Sequence, residues 1–254
     1  MKTIFTIILL LAALYLLLAG TMYLFQRSLL YYPVPHQDGI PREEIIFENE
    51  GLQLHGWILN KGMSKAVIYF GGNSEAIQNN IFNFEAMFGK HSVYLIHYRG
   101  YGKSEGKPTE TGLFSDALAI YDALKPQYQS ISLMGRSLGS GVAVYLASRR
   151  ETDKLILLTP YDSIAEVAQT HYPFIPARLV TRDRFESFQY APKITAPVLL
   201  VTAELDRIVP IERALKLREY LTAAEVQYRM IESAAHNDVT SFPEYQKLVS
   251  AFIN

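Results

Sequence analysis

Three residues of this chain have types and spacing that could do chemistry: Ser137, Asp206 and His236. The serine stands in Gly135-Arg-Ser-Leu-Gly139, directly after an apolar run and directly before a helical pattern. A strand, a sharp turn and a helix in that order hold a serine clear of the backbone. The flanking glycines fit because such a turn leaves no room for a Cβ. The pattern indicates a nucleophilic serine, Ser137.

A serine hydroxyl is a weak nucleophile at neutral pH and needs a base that is itself oriented by an acid. Only two histidines, His171 and His236, follow Ser137 in the sequence. We predict His236 as the base, because it follows a predicted strand, whereas His171 lies in a predicted insertion. A lone loop histidine would otherwise be an ordinary surface residue.

The orienting acid is predicted to be Asp206, which stands in a loop just before Ile-Val-Pro210 and a predicted helix. Two other carboxylates are alternatives. Glu204 lies in the same loop, and Asp238 follows the histidine but could simply cap a helix. The order serine, aspartate, histidine is the one expected when a nucleophile turn of this kind sits on an α/β sheet.

Acyl transfer through a serine also needs donors for the oxyanion of the tetrahedral intermediate. The backbone N–H of Leu138 is one predicted donor, because it opens the helix after the serine, where free N–H groups and the helix dipole favour an anion. The second is predicted in the Gly71-Gly72-Asn73 turn after an apolar strand, with Asn73 preferred over Gly72. The alternative is that the two glycines merely form a tight turn.

Composition supports a folded enzyme and excludes several other classes. The chain has 254 residues, of which 49% are hydrophobic and 19% charged, as in globular proteins. A net charge of −1 gives no electrostatic reason to expect nucleic acid. The absence of cysteine excludes a cysteine nucleophile, disulfides and thiolate metal sites. The Gly-x-Ser-x-Gly motif alone is weak evidence for a nucleophile, since it occurs by chance in roughly one chain of this length in twelve. The residues around it must therefore decide.

Buried strands that alternate with helices position these residues. The pattern predicts an α/β fold with a mostly parallel eight-stranded sheet and helices on both faces, including a helix over Glu75–Phe88. Ligands in such sheets bind beyond the carboxyl ends of the strands. The turn at 71–74, the serine and the loops of Asp206 and His236 all follow predicted strands, so we expect them along one edge. The predicted strands are Glu44–Glu48, Leu52–Leu59, Ala66–Phe70, Val93–His97, Ser130–Met134, Leu155–Thr159, Pro197–Ala203 and Val226–Ile231.

An uncharged apolar segment precedes this domain. Ile4–Phe25 would form a helix about 33 Å long, enough to cross a hydrocarbon core of about 30 Å. We predict an uncleaved transmembrane anchor at 1–27, a linker at 28–43 and a hydrolase domain at 44–254. A cleaved signal peptide and a buried soluble helix are the alternatives. The short basic start favours an extracytoplasmic catalytic domain, although Lys2 and Arg27 nearly balance each other.

The segment at about 160–192 is predicted to be a small cap inserted into the domain, because it is rich in proline and aromatic residues and has no clean period. Its aromatic residues either line an acyl pocket or pack the cap onto the body. Its arginines either meet a phosphate headgroup or form a solvated basic face. The aromatic set is Tyr161, Tyr172, Phe174, Phe185, Phe188 and Tyr190, and the basic set is Arg178, Arg182 and Arg184.

From about Glu44 to its end the sequence resembles the α/β-hydrolases, and more narrowly the membrane-anchored serine hydrolases of the Bem46-like group and of α/β-hydrolase domain-containing proteins 13 and 17. It departs from their pattern in having Gly71 for the histidine of His-Gly-Asn, Ala235 for the glycine before the histidine, and His97 where an acidic residue is common. The matching motifs are Tyr98-Arg-Gly-Tyr-Gly-Lys-Ser-Glu-Gly, Pro108-Thr-Glu-Thr-Gly-Leu, Gly135-Arg-Ser-Leu-Gly139, Leu205-Asp-Arg-Ile-Val-Pro and His236-Asn-Asp238.

The resemblance implies esterase, lipase or thioesterase activity with no cofactor or metal, and it assigns the roles of Ser137, Asp206 and His236 to the matching positions. The implied partners are a small-molecule or lipid acyl ester and the lipid bilayer. Two other functions stay open: a serine peptidase of the same fold, for which the cap offers little room, and a non-catalytic membrane-anchored binding protein.

Overall fold

An eight-stranded sheet forms the centre of the computed structural model, which describes residues 1–254. The strand order is β1-β2-β4-β3-β5-β6-β7-β8, and every neighbouring pair from β4 to β8 is parallel. β2 is antiparallel to both of its neighbours, β1 and β4. The predicted mostly parallel sheet is confirmed. The strands are β1 Glu43–Asn49, β2 Leu52–Leu59, β3 Lys65–Phe70, β4 His91–Ile96, β5 Ser130–Arg136, β6 Leu155–Leu158, β7 Val198–Ala203 and β8 Val226–Ile231.

Helices cover both faces of the sheet, and each face has its own core. On one face α3, α4 and α8 pack in a cluster of 35 buried residues. On the other, α2 and α9 pack in a cluster of 23. The central strands are apolar on both sides because both sides are covered. The helices of the body are α2 Ile81–Met87, α3 Glu110–Leu124, α4 Leu138–Ala147, α8 Ile211–Tyr220 and α9 Pro243–Ile253.

The helix predicted over Glu75–Phe88 is wrong in its first part. A 3-10 turn at Ile77–Asn80 leads into α2, which is confined to Ile81–Met87. Glu75 stays outside the helix because its carboxylate accepts hydrogen bonds from Gly72 and from Tyr69 instead. Local side-chain bonding has replaced the first helical turn.

Helix α1 spans Lys2–Leu30, and none of its residues is buried. It is the one helix of the chain that is long and apolar enough to cross a membrane. At about 43 Å it exceeds a hydrocarbon core. It is therefore a candidate membrane anchor.

Short helices after β6 form the cap over the carboxyl edge of the sheet. Ser163 opens the first by accepting a hydrogen bond from the N–H of Ala165, a normal helix cap. Its side chain also donates to Arg184, which ties the two ends of the insertion together. The cap helices are α5 Ile164–His171, α6 Ala177–Val180 and α7 Ser187–Tyr190.

Candidate active site

Ser137 sits on a strained turn between β5 and α4. Its backbone has φ 48° and ψ −118°, a conformation that non-glycine residues rarely adopt. A Cβ on Gly135 would collide with the carbonyl of Gly139, and a Cβ on Gly139 would collide with the carbonyl of Phe70. The two glycines therefore allow strand and helix to approach closely enough to hold the serine in this conformation.

The three predicted side chains form one hydrogen-bonded chain. His236 Nε2 lies 2.9 Å from Ser137 Oγ, and His236 Nδ1 lies 2.7 Å from Asp206 Oδ2. Asp206 follows β7, and His236 follows β8, so parallel strands deliver both to the edge where the serine sits. The imidazole is 6% exposed, which protects these bonds from competition with water.

The aspartate fixes the tautomer of the histidine. Asp206 Oδ1 accepts hydrogen bonds from the N–H groups of Ile208 and Val209 at 2.9 and 2.8 Å. The carboxylate is thus held with its other oxygen toward Nδ1, which must donate. Nε2 then keeps its lone pair and can accept the serine proton. This arrangement can remove a proton from Ser137 as the hydroxyl attacks a carbonyl.

The alternative residues are placed elsewhere. Glu204 accepts a hydrogen bond from the N–H of Ser233, and Asp238 accepts one from the N–H of Ala235, so both shape the loops around the site. His171 bonds to the carbonyl of Ile208 from the cap. None of the three contacts the His236 ring through a hydrogen bond.

The two predicted oxyanion donors, Leu138 and Asn73, both line the cavity that contains Ser137. Leu138 is the first residue of α4, so its N–H has no carbonyl one turn earlier in the helix. The N–H of Asn73 has no acceptor in the protein, whereas the N–H of Gly72 is taken by the carboxylate of Glu75. The geometry favours the backbone of Asn73 over that of Gly72.

The side chain of Asn73 has a different task. Its Oδ1 accepts hydrogen bonds from the N–H of Tyr32 and the hydroxyl of Tyr101, each at 2.9 Å. Its Nδ2 donates to the carbonyl of Leu30 at the end of α1. Three hydrogen bonds of this amide thus join the Gly71-Gly72-Asn73 turn, called the oxyanion turn below, to Tyr101 and to the chain at the end of α1.

Two positioning residues, Glu75 and Arg136, were not predicted from the sequence. Arg136 Nη1 lies 3.0 Å from Glu75 Oε1, and Nη2 donates to the carbonyls of His236 and Asn237 at 3.3 Å. The pair links the oxyanion turn, the serine turn and the histidine loop. The signal in the sequence was the charge of Arg136 at the first variable position of Gly-x-Ser-x-Gly, on a strand that is otherwise mostly buried.

The Tyr98-Arg-Gly-Tyr-Gly segment supports the oxyanion turn through hydrogen bonds. The Tyr98 hydroxyl donates to the carbonyl of Gly71 at 2.7 Å, and Tyr101 reaches Asn73. Arg99 binds Asp116 with two hydrogen bonds of 2.7 Å and fixes the segment to α3. Tyr98 and Glu75 thus brace the Gly71-Gly72-Asn73 turn from two sides.

His97 is buried in an aromatic cluster rather than in the catalytic chain. Its ring lies 5.3 Å from that of Trp57 and 6.1 Å from that of His36. Its Nε2 is buried without a partner. Burial, followed by the nearby His36 and His55, lowers the pKa of His97 to about 4, so the ring is neutral at physiological pH.

A cavity of about 470 Å³ opens onto Ser137, and 15 of its 21 lining residues are hydrophobic. Of the six cap aromatics, only Tyr161 and Tyr172 line it. The others pack the cap or face solvent: Phe185 lies against Phe114, and Phe174 is 87% exposed. Two of the six therefore line the cavity beside Ser137, and most of the others pack the cap onto the body.

The basic face of the cap is largely paired. Arg178 forms a salt bridge with Glu166, and Arg184 forms one with Glu186. Arg182 stacks over the ring of Tyr23 on α1, 4.2 Å from its centroid. These pairs leave little unpartnered positive charge for a headgroup.

The chain is similar to curated proteins across most of its length. It is 34% identical over 231 residues to an uncharacterized protein of Mycobacterium tuberculosis, a match that covers 84% of this chain and 81% of that protein. It is 32% identical over 167 residues to α/β-hydrolase domain-containing protein 17C of Xenopus tropicalis. That second match covers 64% of this chain and about half of the relative, 52% of its length. No family model matches the chain.

Solved esterases share the fold. The Pyrococcus furiosus esterase Pf2001 superposes with a TM-score of 0.72 at 20% identity, covering 88% of this chain and 98% of the esterase. Est1E of Butyrivibrio proteoclasticus, solved with ferulic acid, gives 0.69 at 19% identity, covering 82% and 97%. The fold predicted from the sequence, that of the α/β-hydrolases, is confirmed.

Proposed function

We propose, from the premise that the chain belongs to the α/β-hydrolases, that it is a membrane-anchored serine hydrolase that cleaves carboxylic esters or thioesters through an acyl-enzyme on Ser137. One observation carries the proposal. Asp206, His236 and Ser137 form a continuous hydrogen-bonded chain that ends in an apolar cavity. Nucleophile, base and orienting acid are in reach of one another without any rearrangement.

In the first half of the reaction, Ser137 Oγ attacks the carbonyl carbon while its proton passes to His236 Nε2. Asp206 stabilises the imidazolium that results. The N–H groups of Leu138 and Asn73 hold the oxyanion, and each donor of this kind is worth about 3 to 4 kcal/mol of barrier. His236 then gives the proton to the leaving alcohol or thiol, the carbonyl forms again, and the acyl group stays on Ser137.

In the second half, water takes the place of the leaving group. His236 removes a proton from the water as its oxygen attacks the acyl carbon, and the same two N–H groups hold the second oxyanion. Collapse of this intermediate breaks the bond to Oγ, and Ser137 regains its proton from His236. The products are a carboxylic acid and the regenerated enzyme.

The cavity supports an acyl ester over a peptide. A peptide substrate needs polar partners for its backbone amides, because an unpaired buried amide is costly. The cavity beside Ser137 offers mostly aliphatic and aromatic side chains. Such a lining suits the hydrocarbon of an acyl group.

Membrane attachment through α1 is part of the proposal. The helix exposes a long series of apolar side chains, among them Leu9, Leu14 and Leu17. An exposed apolar surface of this length is unstable in water and stable in a bilayer. We place the catalytic domain on the extracytoplasmic side, with 1–27 as the anchor, 28–43 as the linker and 44–254 as the hydrolase domain. Cysteine labelling from each side of sealed vesicles, at a cysteine introduced on the exposed end of β8, tests the orientation.

A fluorophosphonate probe tests the chemistry. The full chain in detergent is expected to be labelled covalently, and Ser137→Ala is expected to abolish labelling while the protein stays folded. Ser148→Ala is the matched control, because Ser148 lies at the other end of α4 and bonds only to the carbonyl of Tyr145 through its side chain. Labelling that persists in Ser137→Ala would remove the serine from its role.

A series of p-nitrophenyl esters and acyl-CoA thioesters then narrows the substrate. If departure of the leaving group does not limit acylation, an ester and a thioester with the same acyl chain are expected to have comparable kcat/KM. A strict preference for one leaving group would assign the enzyme to esters or to thioesters.

A further inference from the structure

The N-terminal helix forms part of the cavity wall. Five of the 21 lining residues come from the last third of α1. They share one side of the helix and face the cap across the cavity. They are Met22, Tyr23, Gln26, Leu29 and Leu30. A helix that only tethered the domain would not contribute to the substrate site.

Polar contacts fix this part of α1 to the cap. Gln26 Oε1 accepts a hydrogen bond from the N–H of Arg182 at 2.6 Å, and its amide donates to the carbonyl of Val180 at 3.3 Å. Arg27 binds the nearly buried carboxylate of Asp183 with two hydrogen bonds of 2.8 and 3.1 Å. The helix and the cap therefore hold a defined arrangement around the cavity.

The cap also reaches far along the apolar part of the helix. The Tyr15 hydroxyl donates to the carbonyl of Phe174 at 2.9 Å. Tyr15 lies twelve residues before Arg27, which is about 18 Å along the helix axis. The eleven residues Ile4–Leu14 cover only about 17 Å, roughly half of a hydrocarbon core. The span must therefore include residues that lie level with the cap.

Three side chains of this part of the cap are apolar and exposed, and the charged Arg178 between them is paired with Glu166. Phe174 is 87% exposed, Leu179 is 85% exposed and Tyr172 is 52% exposed. They continue the apolar surface of α1, which has no buried residue. Tyr172 lines the cavity together with α1, and Phe174 contacts Tyr15 of the helix, so these apolar side chains lie beside the helix and the cavity.

We infer that the side chains of Tyr172, Phe174 and Leu179 on the cap edge are immersed in the bilayer, and that the cavity takes the acyl chain of a membrane lipid ester entering between α1 and the cap. This inference rests on the proposed function. Ser137 faces the oxyanion turn that Asn73 joins to Leu30. Leu30 lies about 8 Å beyond Phe25, the end of the apolar run, along the helix. On this route the lipid leaves the leaflet in part. The apolar side chains of the cavity then replace the neighbouring lipid tails around its acyl chain.

Fluorescence quenching tests the immersion independently of catalysis. The full-length Phe174→Trp variant is reconstituted in phosphatidylcholine vesicles with brominated acyl chains. The wild type provides the background of Trp57, the chain's one tryptophan, which is buried in the body. The added emission is expected to fall about twofold or more, because a side chain below the headgroups meets the bromines.

Phe82→Trp is the matched control for this measurement. Phe82 is 82% exposed on α2, away from the cap, so its emission is expected to stay unchanged. Leu179→Trp provides a second position on the cap edge. Equal emission from both cap variants in brominated and unbrominated vesicles would show that the cap lies outside the hydrocarbon, and the inference would be wrong.

Chain-length selectivity tests the entry route. Met22→Trp and Leu29→Trp add bulk on the α1 wall of the cavity. For each, kcat/KM for p-nitrophenyl palmitate in phosphatidylcholine vesicles is expected to fall about tenfold or more relative to kcat/KM for p-nitrophenyl acetate. Leu24→Trp is the control, because Leu24 is 69% exposed on the same helix and does not line the cavity.

The outcomes separate this inference from the proposed function. If the probe labels Ser137 and acetate esters are cleaved, but both wall variants keep the wild-type ratio, the lipid route is wrong and the hydrolase stands. If Ser137 is never labelled, the proposed function fails. Quenching would still decide whether the cap edge lies in the bilayer.

Discussion

Two regions meet at Ser137, one held together mainly by polar contacts and the other mainly by apolar side chains. The catalytic edge consists of the turns after β3, β5, β7 and β8, where nearly every polar group has a partner inside the protein. Glu75 alone receives hydrogen bonds from Tyr69, Asn80, Gly72 and Arg136. The cap junction consists of α1 residues 22–30 and cap residues 172–183. There the cavity wall is mainly apolar, and a few polar contacts hold the two pieces together.

The difference indicates that the two regions have separate roles, one in catalysis and one in substrate preference. Polar networks specify one geometry, since any displacement leaves a buried group unpaired. Apolar walls tolerate changes in shape and discriminate weakly between chain lengths, by about 1 to 3 kcal/mol for each methylene. We therefore expect substitutions at the catalytic edge to lower kcat for every substrate. Substitutions at the cap junction are expected to change which substrate is preferred.

The largest effect is expected for Asp206→Asn. An asparagine can hold the His236 ring in the wrong tautomer, with Nε2 protonated and unable to accept the serine proton. We expect kcat to fall on the order of 10³- to 10⁴-fold for short and long esters alike. Glu204→Gln, in the same loop, is the control and should stay within a few-fold of wild type. A similar loss in both variants would mean that the loop, not the carboxylate of Asp206, matters.

Glu75→Gln is expected to have the next largest effect. The neutral amide leaves the guanidinium of Arg136, only 11% exposed, without its charged partner. We expect kcat to fall about 10- to 100-fold with little change in KM, and the free energy of unfolding to fall by about 3 kcal/mol. Thermal unfolding and steady-state kinetics measure both.

The double variant Glu75→Gln/Arg136→Met separates stability from positioning. Without the unpaired charge, part of the lost stability should return. The loss in kcat should remain, since the link between the three catalytic loops is gone. Full recovery of kcat would show that the pair is structural only.

His97 is an exception within the support of the catalytic edge, because its buried Nε2 has no partner. Its pKa is about 4 in the folded protein, chiefly through burial, and near 6.5 in an unfolded chain. The unfolded state therefore binds the proton first. The contribution of neutral His97 to the free energy of unfolding is complete above about pH 6.5. It is lost as pH falls from there to about 4, in total on the order of 3 kcal/mol.

His97→Phe is expected to remove this part of the pH dependence. The free energy of unfolding at pH 7 and at pH 4.5 would be compared through the emission of Trp57, whose ring lies 5.3 Å from His97. We expect the difference between the two pH values to shrink by roughly 2 to 3 kcal/mol. His171→Gln, an exposed site in the cap, should keep the wild-type difference.

The smallest effect on catalysis is expected for Arg27→Met at the cap junction. The substitution leaves the Asp183 carboxylate, only 7% exposed, without its charged partner, so the free energy of unfolding is expected to fall by about 3 kcal/mol. Hydrolysis of p-nitrophenyl acetate should change less than about twofold. A loss in kcat as large as that of Glu75→Gln would contradict the division between the two regions.

The sequence by itself determined the fold and the identity of the three chemical side chains. Buried strands, glycines and turn residues act through local rules, and parallel strands place their carboxyl ends at one edge whatever the loops contain. Ser137, Asp206 and His236 could therefore be chosen by residue type, order and position after a strand. Their roles in catalysis stay predictions until the labelling experiment is done.

Only the tertiary structure decided which residues support that site. Glu75 meets Arg136 across 61 positions, and Asn73 reaches Leu30 across 43, so no local pattern could predict either contact. The same holds for the cap aromatics, most of which pack away from the cavity. The helix expected from Glu75 loses its first turn to local bonds instead, because Tyr69 and Gly72 donate to the Glu75 carboxylate. The apolar run at Ile4–Phe25 indicated an anchor. That the helix continues to Leu30 and forms a wall of the cavity follows from packing against the cap, because contacts between distant segments depend on the folded chain as a whole.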